Sequence, residues 1–94
     1  MAQGWPYVEE RMRCLMALGR HKEAVDVGRT FVAYAPGGAK GHELLAKALD
    51  GAKKPREARK AYERALELWA DAEDDYKPML DARSALLELK ARSE

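Results

Sequence analysis

The stretch LGRHKEAVDVGRTFVAYAPGG aligns with AKKPREARKAYERALELWADA at a single fixed offset, Glu23 and Ala24 falling on Glu57 and Ala58, 34 positions on. A repeat of that length is one supersecondary unit that cannot bury its apolar face alone, so copies must stack. The punctuation agrees. Pro6 suits the first turn of a helix reaching about Leu18, LGRH is a turn, and a second helix spans about Lys22 to Tyr34. APGGAKG breaks the chain, a third helix covers about Lys40 to Leu49, and DGAKKP breaks it again. Pro55 opens a fourth helix expected to run past Leu68 into ADAEDD, and Pro78 sits in the first turn of a fifth reaching about Lys90. No segment alternates apolar and polar residues as a strand would, so the expected class is all-α.

In the second unit Leu45, Ala46, Leu49, Ala58, Tyr62 and Ala65 stand at the helix-pair positions where the tetratricopeptide repeat family prefers Leu, small, large, Ala, aromatic and Ala. The first unit carries Leu15, Gly19, Ala24 and a closing Pro36. The chain therefore resembles that family. The resemblance implies a right-handed superhelix of stacked antiparallel helix pairs, a TPR-like α-solenoid of about five helices, as one domain over 1–94. Unit one would span 5–38, unit two 39–72, and a terminal helix about 75–91. Departures occur at Arg11, at Met12 where a small residue is usual, and at Gly28 and Phe31, which invert the large-then-small order of the second helix. The inversion reads as a volume swap one turn apart. Ala70 replaces the closing proline of unit two.

Composition limits the functional classes. The chain has 94 residues, 47% hydrophobic and 35% charged, with net charge +1. That describes an ordered single domain with no global attraction for a polyanion. MAQGWPYVEE lacks an apolar signal core and no apolar run is long enough to span a bilayer, so a soluble, cytoplasmic protein is expected. The basic stretch from Lys53 to Arg64 sets six cations against Glu57 and Glu63, a net +4. On a helical wheel Arg56, Arg59, Lys60 and Arg64 lie on the solvent side, with Arg59 to Glu63 and Arg64 to Glu67 spaced as surface pairs. Asp71, Glu73, Asp74 and Asp75 then return the charge. A solvated helix face is the reading, and nucleic-acid binding is the least favoured function.

Catalytic and metal chemistry find no constellation. Cys14 is single and reads as a small core side chain. His21 lies in a turn and His42 where this family often packs an aromatic, neither with a second ligand at metal spacing. PGGAKGHE lacks the Lys-Ser/Thr ending of a phosphate loop. Ser84 and Ser93 have no nucleophile elbow. No enzyme, no metal and no cofactor is expected.

What the resemblance implies instead is recognition of a protein or peptide on a concave wall made by the first helix of each unit. By register that wall presents Glu9, Arg13, Met16 and Ala17, then Lys40, Glu43, Lys47 and Asp50, then Lys77, Asp81 and Ser84. The family's chaperone-tail clamp wants lysine and asparagine where Glu9 and Arg13 stand, so chaperone tails are not the expected ligand. The leading expectation is a non-catalytic adaptor or scaffold. The alternatives are an interaction module of a larger bacterial transcriptional activator, whose TPR-like region the chain also resembles, and an accessory subunit stabilising an enzyme. No small-molecule substrate is evident.

The last helix carries more apolar surface than one seam requires. At about 100° per residue from Tyr76, Leu80 and Leu87 lie within about 40° of it, whereas Met79, Ala82, Leu86 and Leu89 fall between about 220° and 300°. One stripe is expected to cover unit two. The other, Tyr76, Leu80 and Leu87, is left for self-association as a homodimer unless the long fourth helix folds the last one back and buries both.

Overall fold

The computed structural model describes residues 4–73 and 75–93. Five helices run through them: α1 Gly4–Ala17, α2 His21–Tyr34, α3 Ala39–Gly51, α4 Pro55–Leu68 and α5 Lys77–Ser93. No strand occurs among the described residues. Each helix packs against the next, and α1 also touches α3, so the first and third helices stand side by side.

The internal repeat is visible in backbone hydrogen bonds. After α1, Gly19 takes φ of 79° while the N–H of Arg20 donates to the Leu15 carbonyl at 2.8 Å and that of Gly19 to Met16 at 3.0 Å. This is a Schellman turn, with a left-handed residue closing the helix. At the same offset, Lys53 takes φ of 64°, Lys54 N–H donates to Leu49 at 2.9 Å and Lys53 N–H to Asp50 at 3.0 Å. Lysine in that conformation costs roughly 1–2 kcal/mol that Gly19 avoids. The tight turn that an antiparallel pair needs is evidently worth that cost.

Helix α4 stops at Leu68, short of the ADAEDD end expected from its lack of glycine and proline. The chain tightens there into short turns, with Ala70 N–H on the Glu67 carbonyl at 3.2 Å and Ala72 N–H on Trp69 at 2.9 Å. Asp71, Glu73 and Asp75 explain the stop, because carboxylates oppose the negative end of a helix. Asp74, expected to share in that charge, lies outside the described residues. Helix α5 runs past Lys90 to Ser93, its last turn carrying Lys90 and Arg92, which favour a helix carboxy-terminus.

The core joins all five helices around α3, with Leu44, Leu45 and Leu49 against Leu15, Val25, Tyr62 and Leu89. Ala24, Ala46, Ala58 and Ala82 are buried where a larger side chain would hold helices apart. Two departures of unit one prove to be a single adjustment, different from the swap expected between Gly28 and Phe31. Met12 is 0% exposed, and a Cβ placed on Gly28 would meet Met12 Cε at 2.7 Å and Leu45 Cδ1 at 3.1 Å. The space beside Gly28 is therefore filled from α1. Phe31 is only half-buried, with its ring over Gly41 of α3.

Cys14 corrects another expectation, since it is exposed. It lies about 200° around α1 from the buried Met12, away from the side on which α2 and α3 pack.

Candidate protein-interaction surface

The candidate site residues stand on helices α1, α3 and α5. On α1, Arg13 and Ala17 are exposed, Glu9 is half-buried, and Met16 rests partly against the core. On α5, Lys77, Asp81 and Ser84 are exposed. The middle helix behaves differently. Glu43 is 1% exposed, although it occupies the same register as Glu9 and Lys77.

A buried carboxylate must be compensated. Lys40, one turn before it, places Nζ 3.2 Å from Glu43 Oε1, and Lys47, one turn after, places Nζ 3.9 Å from Oε2. The Lys40 contact is an ion pair out of line for a hydrogen bond, so Oε1 accepts none. Glu43 thus faces the interior and holds two half-exposed ammonium groups over the wall. It belongs to the framework of the surface, with Lys40 and Lys47 as what the surface presents.

Asp50 is also engaged. Arg92, at the end of α5, brings Nη2 to 3.2 Å from both Asp50 carboxylate oxygens, tying the last helix to α3. Nothing in the sequence points to this pair, because a contact across 42 residues leaves no local signal. Beneath this pair the Tyr62 phenol is pushed up to about 12, first by burial and then by the negative charges of Asp50 and Glu43, with Arg92 opposing.

The basic face of α4 is solvated, with Arg56, Lys60 and Arg64 exposed. Arg64 pairs with Glu67 at 3.7 Å as the spacing suggests. Arg59 and Glu63 form no ion pair among the described residues. Glu57 instead receives Arg29 of α2 at 3.2 Å and Lys54 at 3.8 Å, linking the second helices of the two units.

The histidines have packing roles. Nε2 of His42 donates to the Pro36 carbonyl at 2.9 Å, pinning the connection between units. His21 is the first residue of α2, not part of the preceding turn, and its ring lies against Gly51, with Nδ1 buried and unpartnered. Among the described residues no group of three His, Cys, Asp or Glu could hold a metal ion, and no helix is long and apolar enough to cross a membrane.

The two stripes of α5 are separated by the fold. Met79, Ala82, Leu86 and Leu89 are buried, whereas Tyr76, Leu80 and Leu87 are 42%, 38% and 63% exposed. The alternative in which both stripes are buried within one chain does not hold, because Tyr76, Leu80 and Leu87 remain exposed.

No family model matches the chain, and no curated protein matches it. It is similar to a solved structure described as MamA RS-1 ArsTM double mutant, with a TM-score of 0.64 and 22% identity over 93% of this chain. The match spans 56% of that chain, a little over half its length. The likeness shows the fold: an all-α, TPR-like stack of helix pairs.

Proposed function

We propose that this chain is a non-catalytic protein-interaction module that docks a partner segment on the wall formed by α1, α3 and α5. The observation that carries the reading is the disposition of charge on that wall. Arg13 and Lys47 take equivalent places on successive helices and both are exposed, while the buried Glu43 pairs with Lys40 and Lys47 from beneath and holds their half-exposed ammonium groups in place. Lys40, Arg13, Lys47 and Lys77 then face a partner of acidic character, with Glu9, Asp50, Asp81 and the apolar Met16 setting its register. A helical-repeat fold supports protein partners in general. The same surface serves a free adaptor or scaffold, a module of a larger regulator, or an accessory subunit of an enzyme. A photo-crosslinking residue at position 13 or 84 should capture one defined protein in cells, and the same residue at position 64, on the solvated face of α4, should not. Equal capture at all three positions would overturn the assignment.

The exposed stripe of α5 favours a second contact. Tyr76, Leu80 and Leu87 form an uncovered apolar line on a terminal helix, where repeat proteins usually carry a polar face. We infer that a second copy covers it. Sedimentation equilibrium at micromolar concentration should show a dimer that Leu80→Glu with Leu87→Glu abolishes, and a monomeric parent chain refutes it.

A further inference from the structure

The turn between α4 and α5 encloses an open cavity of about 650 Å³, lined by Trp69, Asp71, Ala72, Glu73, Asp75, Tyr76, Lys77 and Pro78. It shares Lys77 with the charged wall and Tyr76 with the exposed stripe of α5. Its apolar part is two rings in edge-to-face contact, Trp69 and Tyr76, with centroids 5.7 Å apart and planes at 74°. Trp69 also rests against the core, which holds its ring in place. The rim carries three carboxylates, Asp71, Glu73 and Asp75, against the one ammonium of Lys77. None of those three carboxylates has an ion pair among the described residues.

We propose that this cavity receives a lysine or arginine side chain from a partner protein. The chemistry of the lining selects that occupant. A purely aliphatic side chain could lie on the rings, but it would strip water from three carboxylates and return nothing, a cost that burial of its methylenes must overcome. A free small cation would satisfy the carboxylates and leave the rings uncovered. A long cationic side chain does both, laying its alkyl stem on the apolar surface and its charged head among acceptors. The ring faces add attraction, since a cation over an aromatic face is drawn by the ring quadrupole. The net negative rim also draws a positive segment towards the site before contact.

The test uses Trp69 as its own reporter in a Trp5→Phe background, which leaves one tryptophan in the chain. Blocked Gly-Gly-Lys-Gly-Gly, its arginine counterpart and its norleucine counterpart are titrated while Trp69 emission is followed. The two cationic peptides should give a saturable change with Kd on the order of millimolar, as expected for one side chain, and norleucine should bind at least about fivefold more weakly. Tyr76→Leu, which keeps an apolar side chain and removes the ring, should weaken the lysine peptide about two- to fivefold. Asp71→Asn with Asp75→Asn should weaken it further and flatten its dependence on salt. Equal binding of norleucine, no saturation with the lysine peptide, or an unaltered affinity in Tyr76→Leu overturns the proposal. So does a Trp69 signal that follows protein concentration alone, which would make a second copy the occupant. All titrations are run in a Leu80→Glu with Leu87→Glu background, where no second copy covers Tyr76, so failure of the dimer and failure of this site are read separately.

Discussion

Exchanging volume between Met12 and Gly28 tests whether the departures of unit one form a single packing solution. Met12 is 0% exposed, and the position of a Cβ on Gly28 lies 2.7 Å from its terminal methyl and 3.1 Å from Leu45 Cδ1. Met12→Ala alone removes a buried side chain and should cost about 2–5 kcal/mol, depending on how far α1 collapses onto α2. Gly28→Leu alone drives a side chain into space already held by Met12 and Leu45. Its overpacking of about 1–3 kcal/mol is reduced by up to about 1 kcal/mol for removing a glycine from a helix interior. In the double variant the leucine enters the volume that Met12 vacates, so each change relieves the other. The double variant should therefore be more stable than the sum of the single effects by about 2 kcal/mol, within the range found for residues in contact. Urea unfolding followed by far-UV circular dichroism measures all four corners of the cycle. Additivity within about 0.5 kcal/mol would falsify the shared-volume account, and Gly28 would then be small for another reason.

Gly51→Ala should destabilise by about 1–3 kcal/mol despite the better helix propensity of alanine, because its Cβ would collide with the His21 ring. Adding His21→Ala should recover much of that loss in a thermal melt, and no recovery refutes the contact. Tyr62 predicts an alkaline limit to stability. Its phenol is raised from the usual 10.0 to about 12, so between those values the folded chain keeps a proton that the unfolded chain has lost. Stability then falls as pH rises through that window, by at most about 3 kcal/mol. Tyr62→Phe should flatten the decline in urea midpoints measured across it, and an unchanged slope would assign the decline to other groups.

The amino-acid order alone determined the class and the number of helices, because both rest on local signals: the spacing of apolar residues and the placing of Gly19, Pro55 and Pro78. It also separated the two stripes of α5, since angle around a helix follows directly from residue number. The start of each helix was legible to within two residues. The end of α4 was not, because no breaker residue marks it; the carboxylates from Asp71 to Asp75 and the seating of Trp69 against the core end it together.

Tertiary structure decided what each face meets. Register placed Glu43 on the concave wall, but only the packing of neighbouring helices buries it and turns Lys40 and Lys47 into its counter-charges. Cys14 sits among apolar residues in the chain and is nevertheless exposed, because it leaves α1 on the side away from Met12 and the core. Arg92 finds Asp50, and Met12 fills the space of Gly28, across distances in sequence that no periodicity encodes. Periodicity fixes the angle at which a side chain leaves its own helix. Burial, charge pairing and shared volume depend on the helix opposite, and that neighbour exists only once the chain has folded.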